Sequence, residues 1–354
     1  MKKIVLTGGG TAGHVTPHLA ILPTLREEGY EIHYIGSIDG IEKSIIEKEG
    51  DITYHAVHTG KLRRYFDVKN FTDIFNVLLG IRESKKLIKA LKPDVCFSKG
   101  GFVSVPVAVA CGRYKVPLLC HESDLTPGLA TKIDSRFAKK IATTFPECAK
   151  ALGEKAVCTG SPLRQQLYAG DRAVGLRLAG LSGERPVLLM TGGSLGAQSV
   201  NQALRGALKD LLKEMDVIHL TGKGNLDESL TGLGGYKQFD FVNEEMPHLL
   251  AAADLVLSRA GSNTLCELHA LKKPMLLVPY PMGASRGDQI LNAESYEKRG
   301  LAMVLPQDKM TPDTLRDAIY ALREKAPALR AALEAAPAAD GREAVCRLIE
   351  EVQA

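Results

Sequence analysis

The chain has 354 residues, 45% of them apolar and 24% charged, with a formal net charge of +4. That balance excludes a disordered or fibrous protein, and the length suffices for two domains with separate cores. The small positive excess does not by itself indicate nucleic acid, and seven scattered cysteines without a CxxC pair suggest neither a disulfide framework nor a metal site.

The first element is "KIVLT", entered directly from Met1-Lys2-Lys3 without the pattern of a signal peptide, and no apolar run reaches the roughly 18 residues of a membrane span. The expectation is a chain of the reducing cytosol. "EIHYIG", "ITYHAV", "DVCFS", "PLLCH" and "KIATT" follow as short β-like runs with amphipathic stretches between them. Such alternation predicts a parallel sheet with right-handed crossovers. The rhythm pauses at "CTGSPLRQQL" and restarts at "RPVLLMTGGSLGAQSVNQAL", continuing through "DVIHLTG", "KQFDFV", "DLVLSRAG", "PMLLVPYP" and "LAMVLP". The fold class is therefore α/β, with two doubly wound parallel-sheet domains facing across a cleft: residues 1–160 and 161–338. The tail is helical and broken at Pro337 and Gly341, which predicts two terminal helices.

Gly8, Gly10 and Gly13 match the G-x-G-x-x-G dinucleotide pattern between a strand and a helix. A ribose-binding carboxylate is expected at the end of the second strand, where Gly36 and Ser37 stand and Asp39 comes late. The loop still offers backbone N–H groups at a helix start, an apparatus for anions, with Thr11, His14 and Thr16 beside it. Its other reading is close strand-to-helix packing. Gly192, Gly193, Ser194 and Gly196 repeat the device in the second half, and two such loops suit two phosphorylated partners better than one cofactor. A third loop, Arg259-Ala260-Gly261, opens another helix, where Thr264 and Glu267 have capping-box spacing or, alternatively, Glu267 accepts from ribose hydroxyls.

The stretch "GKLRRYFDVKNFTDIFNVLLGIRESKKLIKALK" surrounds Phe71, Ile74, Phe75, Val77, Leu78, Leu79 and Ile81 with Lys61, Arg63, Arg64, Lys69, Arg82, Lys85 and Lys86. It fits either a surface lying on an anionic bilayer or an amphipathic helix packed on the sheet. Nucleic acid is disfavoured by sparse aromatic interleaving and the lack of a recognition motif.

Together "GGGTAGHVTPHLA", "SKGGFVSVPVAVA", "HESDLTPGLATKI", "TGSPLR", "GGSLGAQSVN", "SRAGSNTLCEL" and "GDQILNAE" closely resemble the MurG family of bacterial glycosyltransferases, in its Firmicutes-type version, over essentially the full length. The resemblance implies a GT-B fold of two Rossmann-like domains, the first for the acceptor and membrane, the second for UDP-GlcNAc, with the 339–354 helix packing back on the first. It implies inverting transfer of N-acetylglucosamine from UDP-GlcNAc to the 4-hydroxyl of the N-acetylmuramoyl group of lipid I, giving lipid II and UDP in peptidoglycan synthesis. It also implies peripheral attachment to the cytoplasmic face of the cell membrane, with cell-wall synthesis proteins as partners.

The implied donor-site positions are Thr11, Ala12, Gly13, Asp124, Arg164, Ser194, Val242, Ser262, Asn263, Thr264, Leu265, Cys266, Glu267 and Gln289. Physics adds that Ser194 sits in a phosphate-cradling loop, that Arg164 brings a fixed charge to the UDP leaving group, and that Gln289 can bond sugar hydroxyls through both ends of its amide. Position 12 is alanine where many relatives have glycine. Asp124 replaces a common asparagine, as the Firmicutes-type pattern also does, and an aspartate can accept a proton. The candidate general bases are His14, His121, Glu122 and Asp124, among which the sequence does not choose. By resemblance the leaving group is handled by helix N-termini and basic side chains, with no metal and no cofactor. The rival readings are a GT-B transferase acting on another glycolipid, a nonhydrolysing sugar epimerase, a silent nucleotide-sugar binding module, and an NAD-dependent oxidoreductase. NADH binding without UDP binding would favour the last.

Overall fold

A computed structural model describes residues 2–60, 69–193, 196–282 and 287–354, with the backbone alone for Ala12 and residues 69–72. Two compact units result: Met1–Arg164 with Ala339–Ala354, and Gln165–Ala338. In the first, strands β1 (Lys3–Thr7), β2 (Glu31–Ser37), β3 (Thr53–Val57), β4 (Val95–Ser98), β5 (Leu118–Glu122), β6 (Lys140–Thr143) and β7 (Ala156–Cys158) form a parallel sheet in the order β3-β2-β1-β4-β5-β6-β7. In the second, β8 (Val187–Thr191), β9 (Asp216–Leu220), β10 (Tyr236–Phe239), β11 (Leu255–Ser258), β12 (Met275–Leu277) and β13 (Met303–Val304) run parallel in the order β10-β9-β8-β11-β12-β13. Both are doubly wound. The edge strand β7 is the one strand the sequence patterning does not predict: it is three residues long, and Val157 and Cys158 are exposed, so it lacks an apolar run.

Strand alternation divides the first unit's core. Ile4, Leu6, Ile32, Phe97 and Leu119 pack on one face, and Val5, Ile35, Cys96, Leu118 and Ile141 on the other. The first face is covered by Thr16–Glu27, which has Pro17 in its first turn and ends at Gly29 in the left-handed region. Arg342–Gln353 covers the same face, burying Val345, Leu348, Ile349 and Val352. The tail is clamped by Ser161 N–H to the Ala339 carbonyl (3.0 Å), Gly341 N–H to the Ser161 carbonyl (2.9 Å), and Tyr30 Oη to Gln353 Oε1 (2.6 Å). In the second unit Gln198–Leu211 and Pro312–Ala335 close over Leu188, Met190, Leu257 and Leu276.

In each unit the central strand has its sequence successors on both sides, β2 and β4 around β1, β9 and β11 around β8. The crossovers part at these switch points, leaving a crevice at the strands' C-terminal ends where ligands bind in doubly wound sheets. No helix among the described residues is long and apolar enough to cross a membrane.

Candidate active site

Three loops meet at the switch point of the first unit. After β1 the chain turns through Gly8 and Gly10 into Ala12–His14, a 3₁₀ turn that leads to Thr16–Glu27. Gly10 has φ +85° and could not carry a Cβ, which would sit 2.5 Å from the Phe102 ring. Its N–H donates to Glu42 Oε2 (3.1 Å), while Glu42 Oε1 accepts from Ser37 N–H (3.1 Å) and from the Ser37 hydroxyl. Glu42 is fully buried. The carboxylate that the dinucleotide pattern seeks at the end of β2 is thus supplied five residues later, turned onto the protein's own loop.

After β4 come Lys99, Gly100 and Gly101, the glycines at φ +81° and +78°, and a Cβ on Gly101 would meet the Gly9 carbonyl at 2.5 Å. These two loops are therefore in backbone contact. Asp134 anchors the second from beneath, accepting from Ser104 Oγ (2.6 Å) and Ser98 Oγ (3.2 Å), and Ser98 Oγ in turn accepts from Gly100 N–H (3.2 Å). Burial pushes the Asp134 carboxyl up to about 7. The third loop follows β5, where Lys99 Nζ donates to Ser123 Oγ.

The candidate bases separate on these loops. His121 is 1% exposed, its Nε2 bonded to the Gly160 carbonyl (2.9 Å), and burial with the Lys99 charge holds it well below the usual histidine range. Glu122 gives one oxygen to Asp124 N–H (3.1 Å) and the other to Gly128 N–H (3.0 Å), which ties the loop. His14 and Asp124 are half-exposed, and His14 Nδ1 pairs with Thr11 Oγ1 at 2.8 Å. Thr11 is exposed and Gly13 half-buried; the Ala12 side chain lies outside the described residues. Arg164 is exposed at the end of this unit.

In the second unit the loop after β8 passes through Gly192, Gly193 (φ +82°) and Gly196 (φ +76°) to Gln198–Leu211, whose start at Ala197 has no side-chain cap. Ser194, the predicted phosphate contact, lies outside the described residues. The loop after β11 begins with Arg259, 6% exposed, whose guanidinium donates to the carbonyls of Val278 (2.9 Å) and Pro279 (3.3 Å) and to Ser199 Oγ (3.2 Å) and stacks on Tyr280 at 4.1 Å.

The helix Ser262–Ala270 starts at Gly261 without a side-chain cap. This corrects the capping-box reading of Thr264 and Glu267: the helix has already begun two residues before Thr264, so Thr264 is not its N-cap, and the N-cap Gly261 has no side chain to accept from the first turn. Ser262, Leu265 and Cys266 are buried, whereas Asn263, Thr264 and Glu267 are half-buried. Val242 is 9% exposed. Gln289 is also corrected. Its Oε1 accepts from Ala260 N–H (3.3 Å) and Tyr280 N–H (3.2 Å), so both lone pairs are engaged and only the amide NH₂ is left to meet a ligand.

Sequence reasoning missed Glu42, Lys99 and Asp134. Lys99 alone had a local signal, a charged residue between a strand and a Gly-Gly pair. Lys61, Arg63 and Arg64 of the basic stretch, and the side chains of Lys69 and Phe71, lie outside the described residues. On the helix Lys69–Leu91, Ile74, Phe75 and Leu78 are 50%, 73% and 60% exposed, while Val77 is 9% exposed.

Comparison with known proteins places this geometry in context. The sequence profile of the glycosyltransferase family 28 N-terminal domain matches residues 4–143, and that of the family's C-terminal domain matches residues 187–348. The Clostridium kluyveri UDP-N-acetylglucosamine--N-acetylmuramyl-(pentapeptide) pyrophosphoryl-undecaprenol N-acetylglucosamine transferase is 51% identical over 352 residues, 99% of either chain. The protein of the same name from Lachnospira eligens is 55% identical over 323 residues, 91% of either chain. Among solved structures, MurG of Acinetobacter baumannii has a TM-score of 0.79 at 24% identity, covering 99% of this chain and 100% of that one. The two doubly wound units are thus those of the GT-B fold.

Proposed function

The chain belongs to glycosyltransferase family 28, and on that premise we propose that it moves N-acetylglucosamine from UDP-GlcNAc to the 4-hydroxyl of the N-acetylmuramoyl group of lipid I, forming lipid II and UDP. The observation that carries this reading is the 51% identity to the Clostridium kluyveri transferase across 99% of both chains. We assign the acceptor and its diphosphate to the glycine loops of the first unit, and the nucleotide to the second unit.

Inverting transfer requires a base on the attacking hydroxyl, a placed anomeric carbon and stabilisation of the departing diphosphate. His14 is the preferred base, half-exposed at the first loop with its Nδ1 held by Thr11; Asp124, also half-exposed, is the second choice. His121 and Glu122 are better suited to holding the loops, because His121 is buried with its Nε2 on the Gly160 carbonyl and both Glu122 oxygens are committed to backbone N–H groups. In the second unit the uncapped start of Ser262–Ala270, the Gly192–Gly196 region with Ser194, and the Gln289 amide bind the donor, with Val242 beside the base and Glu267 on the ribose. Arg164 completes the neutralisation of the diphosphate.

Ile74, Phe75 and Leu78, exposed on a helix that also carries Arg82, Lys85 and Lys86, dock the enzyme on the anionic cytoplasmic face of the cell membrane, where the acceptor's lipid chain resides. Other cell-wall synthesis proteins are the partners expected there. The reading is tested by following UDP-GlcNAc by NMR with and without a short-chain lipid I analogue. UDP release that depends on the acceptor supports the transferase; conversion of UDP-GlcNAc alone to its 2-epimer would indicate an epimerase, and bound but unchanged donor a silent module.

A further inference from the structure

We propose that Lys99 is the buried cation that compensates the charge of the acceptor's diphosphate at the two glycine loops of the first unit, an inference that rests on the transferase reading above. Lys99 is 1% exposed and stands at the end of β4, the switch point of its sheet. Its Nζ donates to Ser123 Oγ, and its Cβ lies where a Cβ on Gly8 would come within 3.1 Å. The side chain therefore runs beneath the first loop toward the third.

The surrounding groups show why a dianion there calls for a cation. Gly10 has already given its N–H to Glu42, so the first loop has lost a donor and has gained a carboxylate at its underside. Glu122 has both oxygens on backbone N–H groups, and Asp134 is held by Ser98 and Ser104. The two histidines next to Lys99 cannot supply the charge. His18 is fully buried and pushed down to about 3 by burial and by the Lys99 charge, and His121 is held neutral by the same causes. Among the described residues of these three loops Lys99 is the one lysine or arginine, and an unscreened interior lets its charge act through the thickness of a loop without touching the ligand.

The rival reading of the same geometry is that the Lys99 to Ser123 bond only pins the third loop. Lys99→Met and Ser123→Ala separate the two, with thermal unfolding and UDP affinity as folding controls and Lys99→Gln as a second neutral variant should methionine disturb folding. Acceptor KM is measured with the short-chain lipid I analogue. Affinity for inorganic pyrophosphate is measured by calorimetry in saturating UDP, which occupies the donor site and reads Lys99 even if the wild type transfers nothing to the analogue.

Lys99→Met is expected to raise acceptor KM and weaken pyrophosphate binding at least tenfold while leaving UDP affinity unchanged, with Ser123→Ala altering either by less than threefold. Pyrophosphate affinity and acceptor KM within twofold of wild type in Lys99→Met would overturn the proposal, as would a loss in Ser123→Ala equal to that in Lys99→Met. Failure of the wild type to transfer, with pyrophosphate binding still dependent on Lys99, would instead count against the function assigned above.

Discussion

Glu42→Gln keeps the side chain's size and alters one atom in a site that asks for acceptors throughout. The wild-type carboxylate accepts from Gly10 N–H, Ser37 N–H and the Ser37 hydroxyl, and it is sealed from water. With the amide oxygen turned toward Ser37, the NH₂ confronts Gly10 N–H. With the amide reversed, Ser37 Oγ can rotate to accept, but the Ser37 N–H is left without a partner. Either way one charge-assisted bond is lost and one buried donor is orphaned, a cost of about 2–4 kcal/mol. For a unit of this size each kcal/mol lowers the midpoint by about 2–4 °C, so the first thermal transition should fall by roughly 4–16 °C. Circular dichroism melts check this, and calorimetry should find UDP affinity unchanged because the loop that Glu42 anchors is assigned to the acceptor rather than to the nucleotide. A midpoint within about 2 °C of wild type would refute the argument that Glu42 anchors the loop.

Asp134 gives a pH test. Its carboxyl is raised by burial to about 7 from an ordinary 3.8, so between those values the folded chain holds a proton that the unfolded chain has released. Its contribution to stability therefore falls as pH rises from about 4 to about 7 and is flat above, a span on the order of 4 kcal/mol. Asp134→Asn should flatten that part of the pH dependence in urea midpoints; an unaltered slope would exclude Asp134 as its source. Arg164→Ala should weaken UDP binding by roughly 10- to 100-fold, the worth of a charge-assisted contact of about 1.5–3 kcal/mol to the diphosphate. Unchanged calorimetric affinity removes Arg164 from the site. Replacing Ile74, Phe75 and Leu78 together by serine should lower partition onto anionic vesicles at least 100-fold, since lipid burial of the three exposed side chains is worth about 3–5 kcal/mol. Co-sedimentation measures it, and transfer to a water-soluble acceptor should be spared.

Every strand but the exposed edge strand β7 was legible, most plainly where an apolar run is buried on both faces, as β8 and β11 show with every residue buried. The glycine loops were legible from strand-glycine-helix order. What holds those loops was not. Glu42 reaches Gly10 across 32 positions and Asp134 reaches Ser98 across 36, contacts made by sheet order and helix placement, for which no spacing rule exists. The search for an acid at the end of β2 looked in the right region, but the carboxylate came from the following helix. Of the two alternatives for Thr264 and Glu267 the capping box fell, because its spacing recurs wherever Thr and Glu stand three apart, while the true start at Gly261 carries no side chain to signal it. The Gln289 amide looked free because its acceptor end is occupied by backbone N–H groups, which leave no mark in the sequence.

The most direct measurement is mass spectrometry of a short-chain lipid I analogue after incubation with the purified protein and UDP-GlcNAc, with EDTA present and with Mg²⁺ restored in a parallel sample. The account predicts an acceptor heavier by one N-acetylhexosamine and an equal amount of UDP in both samples. An unmodified acceptor in both, with UDP-GlcNAc binding independently verified, would contradict it.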